Sequence, residues 1–138
     1  MARKPKAYVL DSWAVLAYLE DEGPSQKVAD LITDAHDHDI PLLMSIVNVG
    51  EVWYILAREV AEAKADEGVN CLRQLGIEFV DAGWKLTRMA GLFKSRNRMS
   101  YADCFAAALA KEQNAELVTG DNEFRQVETE IRIRWLET

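Results

Sequence analysis

An α/β fold, with a central and mostly parallel sheet of four or five strands and helices on both faces, is what this sequence predicts. Three observations carry that expectation. Short apolar runs with the length of buried strands alternate with longer segments of helical periodicity, the pattern of a parallel sheet covered on both sides. Two of those runs are followed closely by an acid, Asp11 after Leu10 and Asp121 after Gly120, at the strand ends where open α/β sheets bind ligands. Two further acids, Glu51 and Asp103, interrupt apolar helical patterns, where a carboxylate is costly unless something pairs with it.

Residues 7–10 read as a buried strand and residues 12–20 as a short helix with Trp13, Leu16, Ala17 and Leu19 turned inward. Gly23, Pro24 and Ser25 punctuate the chain, and Pro24 or Ser25 opens a second helix in which Val28, Leu31, Ile32 and Ala35 share one face. A second strand spans 40–44. Ser45 caps a longer helix over about 46–61 that carries Asn48 and Glu51, and 64–75 form another that Gly76 ends. Residues 77–80 make a third strand, followed by a helix from about 82 to 94, a turn at 95–98 and a helix over 101–113. The Ala-rich stretch 105–110 in that last helix suits close packing on a sheet. A fourth strand spans 116–119, and 131–135 alternate in polarity as an edge strand does.

With 138 residues, 49% of them apolar, the chain reads as one domain over 1–138 with a substantial core. The basic start Met-Ala-Arg-Lys-Pro-Lys lacks the apolar run of a secretory signal, and no stretch approaches the ~20 apolar residues of a membrane helix. A soluble, cytoplasmic protein without a membrane partner is expected. Cys71 and Cys104 have no metal-binding or disulfide spacing, and His36 and His38 flank Asp37 at what reads as a solvated helix end. The net charge of −7 disfavours a broad nucleic-acid-binding surface. Lys94, Arg96 and Arg98 nevertheless form a compact basic run before Ser100, a local candidate for contacting phosphate.

Taken singly, each acid has an ordinary role. Asp11 suits a helix N-cap and Asp121 a turn. Glu51 lies three residues after Asn48, and Asp103 three after Ser100, so each pair shares a helix face near the amino end, where the dipole favours negative charge. A salt bridge to a buried arginine is the alternative for these two. Taken together, four acids at one sheet edge repel each other, and hard cations such as Mg²⁺ or Mn²⁺ are what bring oxygen ligands together. Asp-x-Asp-x-Asp-Gly, the start of a calcium loop, is missing.

Four segments, in order, resemble a known family. They are Val9-Leu10-Asp11-Ser12, Ser45 with Glu51 six residues on, Ser100-Tyr101-Ala102-Asp103 followed by small residues, and Leu117-Val118-Thr119-Gly120-Asp121-Asn122-Glu123-Phe124. Across nearly its whole length the chain resembles the PIN-domain nucleases, specifically the small VapC-like toxins of toxin–antitoxin pairs. The resemblance implies that Asp11, Glu51, Asp103 and Asp121 are the catalytic and metal-binding set, with Ser12 and Thr119 as supporting hydroxyls and Glu123 as an outer acid. It also implies Mg²⁺- or Mn²⁺-dependent cleavage of RNA, a cognate antitoxin and a homodimer. Expected contact surfaces are the helix with Trp53, Tyr54 and Leu56, and the first two helices with Trp13, Leu16, Leu31 and Ile32. Trp13, Trp53, Tyr54, Trp84 and Trp135 read as packing or interface residues rather than base-stacking platforms. Two other classes compete: an inactive PIN-like protein-binding module, and a Mg²⁺-dependent phosphatase of the haloacid-dehalogenase type. The latter needs Asp-x-Asp after the first strand, where this chain has Asp11-Ser12-Trp13.

Overall fold

A computed structural model describes residues 4–136. Five strands, β1 (Tyr8–Leu10), β2 (Leu42–Ser45), β3 (Ile77–Val80), β4 (Glu116–Thr119) and β5 (Arg132–Trp135), form one sheet in the order β3-β2-β1-β4-β5. Every pairing is parallel. Six helices connect or flank them: α1 (Ser12–Leu19), α2 (Ser25–Asp37), α3 (Ile46–Glu59), α4 (Glu62–Gln74), α5 (Trp84–Arg96) and α6 (Tyr101–Glu112). A 3-10 helix over Asn122–Val127, not foreseen from the sequence, joins β4 towards β5.

The parallel strands alternate which face each residue serves. Val9, Leu43 and Leu117 pack with α5, α6 and the 3-10 helix in one cluster, while Tyr8, Leu10, Leu42, Met44 and Val118 pack with α1 to α4 in the other. Two such layers absorb the apolar excess of the helices. Helix α6 is buried without a break from Cys104 to Ala110, and its alanines let the backbone approach the sheet closely, as the Ala-rich stretch suggested. Gly76, at φ +84°, ends α4 in the left-handed conformation that glycine adopts without strain.

Two expectations about surfaces need correction. In α1 the fully buried residues are Ser12, Ala14 and Val15, none of them expected inside, while Trp13, Leu16 and Leu19 turn inward against the core as expected but stay half-buried. This helix is apolar nearly all round, so periodicity does not select a face; its cap at Asp11 does. Leu31, Ile32 and Leu56 are not surface residues either: they lie in the core with α2 and α3 packed down on the sheet. The large apolar side chains that are exposed are Ile46, Tyr54, Val60, Trp84, Leu92 and Tyr101.

In this strand order β1 lies between β2 and β4, so the chain leaves β1 towards one edge and later returns to its other side. Such a reversal opens a crevice at the carboxyl ends of the two central strands. Asp11 follows β1 and Asp121 follows β4 by two residues, which sets both beside that crevice.

Candidate active site

Four helix starts meet at this edge, each capped by a short polar side chain. Asp11 Oδ1 accepts the Ala14 N–H at 2.8 Å and Ser45 Oγ the Val47 N–H at 3.2 Å. Ser100 Oγ accepts the Asp103 N–H at 3.1 Å, and Asp121 Oδ1 the Glu123 N–H at 2.9 Å. The N-cap and turn roles open to Asp11 and Asp121 are therefore real, and they position the carboxylates rather than compete with a site. Positive helix ends facing one place also favour negative charge there.

Asp11 is the deepest of the acids, 1% exposed. Its Oδ2 accepts the Thr119 hydroxyl at 2.5 Å, and Thr119 Oγ1 in turn accepts the Asp121 N–H at 3.0 Å. One threonine thus ties the ends of β1 and β4 together. Burial pushes the Asp11 carboxyl up to about 8; the bonds from Thr119 and Ala14 oppose the rise, and the charges of Asp103 and Asp121 add to it. Asp103, at the start of α6, is pushed up to about 7, first by burial and then by Asp121, with smaller contributions from Glu51 and Glu123 and an opposing bond from Ser100. Asp103 thus interacts electrostatically with Asp11, Asp121, Glu51 and Glu123, and Asp11 also with Asp121. Among the described residues none of them forms a salt bridge, so the buried-arginine alternative is not realised.

The donor set is entirely oxygen. Carboxylates, hydroxyls and a carboxamide surround the crevice with no thiolate or imidazole, which suits Mg²⁺ or Mn²⁺ and not zinc. Among the described residues no three His, Cys, Asp or Glu side chains already close into a compact metal cage. Mg²⁺ commonly retains several waters between itself and its protein ligands.

The basic run divides. Lys94 Nζ donates to the Met99 carbonyl at 2.6 Å and so braces the turn before α6, a bond that uses one of its three N–H donors. Arg96 and Arg98 are exposed, and neither guanidinium makes a hydrogen bond or ion pair among the described residues. The Arg98 backbone is itself fixed: its N–H donates to Gln126 Oε1 at 2.9 Å and its carbonyl accepts from Gln126 Nε2 at 3.1 Å. Gln126 therefore clips the loop before Asp103 to the 3-10 helix after Asp121. No local sequence signal marks that role. Trp13, read as a packing or interface residue, has its ring against Gly120, where a Cβ would stand 2.2 Å from Cη2. The tryptophan thereby presses the β4–Asp121 corner into place.

Similarity to known proteins agrees with this geometry. The PIN domain family matches residues 8–130. No curated protein sequence matches the chain. Among solved structures, VapBC2 from Rickettsia felis bound to a promoter DNA fragment superposes with a TM-score of 0.80 at 14% identity, over 95% of this chain and 99% of that one. DNA-bound VapBC from Salmonella typhimurium gives a TM-score of 0.74 at 16% identity, over 95% and 98%. VapC20 of Mycobacterium tuberculosis, a toxin that cleaves the sarcin–ricin loop, gives 0.70 at 13% identity, over 88% and 95%. With a family match that takes in four of the five strands, and acids gathered at the crevice between β1 and β4, the chain belongs to the PIN domain family.

Proposed function

We propose that the chain is a Mg²⁺- or Mn²⁺-dependent endoribonuclease, the toxin of a VapBC-like toxin–antitoxin pair. The observation that carries this reading is a fully buried, salt-bridge-free Asp11 that shares a crevice and an electrostatic field with Asp103 and Asp121. A fold keeps such carboxyl groups buried together without counter-charges when a cation is part of its working state. Asp11, Glu51, Asp103 and Asp121 would hold that cation, with Ser12, Thr119 and Glu123 around them. When bound, the ion activates water and stabilises charge on the scissile phosphate and the leaving oxygen.

The protein's own groups do the rest. Burial pushes the Asp11 and Asp103 carboxyls up, so holding a cation there would require both to release their protons. Thr119 keeps the Asp11 carboxylate aimed while it does so. The free guanidiniums of Arg96 and Arg98, on the segment leading to α6, supply charge for the RNA backbone. A toxin–antitoxin complex from Klebsiella pneumoniae shares this fold, and we assign this chain a cognate antitoxin and a homodimeric state, with exposed Tyr54, Val60 and Trp84 as apolar contact points. No helix among the described residues is long and apolar enough to cross a membrane.

The test is cleavage of a structured RNA by the purified chain in Mg²⁺ or Mn²⁺, beside the same reaction in chelator and beside Asp11→Asn. Metal-dependent cutting that leaves 5′-phosphate ends and disappears in the folded variant is the expected result. Cutting that survives chelator, or an Asp11→Asn variant as active as wild type, refutes the assignment.

A further inference from the structure

Asn48, in the first turn of α3, is wholly buried. Its Nδ2 donates to Ser12 Oγ at 3.3 Å and to the Ala102 carbonyl at 3.1 Å. Ser12 Oγ donates its own proton to the Asn48 backbone carbonyl at 3.2 Å. One carboxamide therefore joins the residue after Asp11, the residue before Asp103, and the helix that carries Glu51 one turn later. Its Oδ1, however, has no hydrogen-bond partner. A flipped amide does not resolve this, because the Ala102 carbonyl accepts only and requires the NH₂ group where it stands.

Buried polar atoms are almost always satisfied, and this one lies at the junction of the acid-bearing segments, about 2.2 Å from an Nδ2 wedged between two of them. We propose that Asn48 Oδ1 is a binding atom of the acidic site, a neutral oxygen that receives a hydrated divalent cation alongside the carboxylates. The inference rests on the metal-dependent reading above and adds to it a residue whose charge-free oxygen supplies an acceptor without further repulsion. Its two N–H bonds fix where that oxygen stands, so the same side chain both sets and completes the site.

Mn²⁺ binding to the full chain, measured by the loss of the free-ion paramagnetic resonance signal, tests this for wild type, Asn48→Ala and Asn48→Asp. Asn48→Ala should bind Mn²⁺ at least about tenfold more weakly, the effect typical of losing a group that supports a metal ligand shell. Asn48→Asp loses the two N–H donors yet keeps an oxygen, and should recover most of the affinity even if its metal-free form melts lower. Wild-type affinity in Asn48→Ala overturns the proposal. Equal losses in both variants also overturn it, since the amide would then be only a bridge. Wild type that takes up no Mn²⁺ at all refutes the metal-dependent reading itself. A readout independent of how the variants fold is the Asn48 side-chain NH₂ resonance of wild type, which should shift as Mg²⁺ saturates; signals that stay put overturn the proposal.

Discussion

Raising the pH should loosen the metal-free fold, and the Asp11 carboxyl sets the size of the effect. Burial raises it from an ordinary value of 3.8 to about 8, so the folded chain holds that proton more tightly than the unfolded chain does. Stability from this group is complete below about pH 4 and is lost as the pH climbs through about 8. At about 1.4 kcal/mol per pH unit, the interval from pH 5 to pH 8 withdraws up to about 4 kcal/mol. For a chain of this size that is a fall in Tm of roughly 10 °C. Asp103, pushed up to about 7, acts in the same direction. Tryptophan-fluorescence melts in chelator at pH 5, 6.5 and 8 measure the slope, and Asp11→Asn isolates the cause because it replaces the carboxyl with a neutral group of nearly equal volume. The variant should melt above wild type at pH 8 and close to it at pH 5. Millimolar Mn²⁺ should restore wild type at pH 8, since the ion binds the ionised carboxylates that only the folded chain gathers. A wild-type Tm that stays level or rises from pH 5 to 8 in chelator, or an Asp11→Asn variant that tracks it, would falsify the assignment of Asp11 as a buried, proton-holding acid.

Gly120→Ala would drive a methyl group into the Trp13 ring and should cost about 1–3 kcal/mol, with weaker Mn²⁺ binding as Asp121 shifts; an unchanged melt would show that the corner yields freely. Gln126→Ala removes the clip between the Arg98 backbone and the 3-10 helix. It should destabilise the chain by about 1–2 kcal/mol, and hydrogen exchange confined to residues 97–100 and 122–127 is the measurement that checks it. Replacing Arg96 and Arg98 together by Ala should weaken RNA binding and reduce its salt slope by about 0.7 for each lost phosphate contact; filter binding at several salt concentrations decides, and an unaltered slope removes both residues from the RNA surface.

Much of the architecture was legible in the chain because parallel strands buried on both faces read as continuous apolar runs. The bounds of β3 and β4, Ile77–Val80 and Glu116–Thr119, match the expected ones residue for residue. The caps at Ser45 and Asp11 were legible for a related reason: a helix start asks for a short oxygen-bearing side chain at a position local pattern can locate. The acids stood out because charge within apolar surroundings is costly wherever it occurs.

What tertiary structure alone decided involves residues far apart in the chain. Pairing β1 with β4 sets Thr119 against Asp11, 108 residues away, and no periodicity encodes that choice. The Asn48 amide spans 54 residues to Ala102, Gln126 reaches 28 back to Arg98, and Trp13 lies on Gly120. The same distinction explains the α1 residues buried beyond those expected and the misplaced surface at Leu31, Ile32 and Leu56. An apolar stripe says that a helix must bury something, while whether it buries against the sheet or a partner depends on which layers the strand order leaves open. Local preference acts over a turn or two of chain; the raised Asp11 carboxyl and the unpaired side-chain oxygen of Asn48 arise only where segments distant in sequence exclude water together.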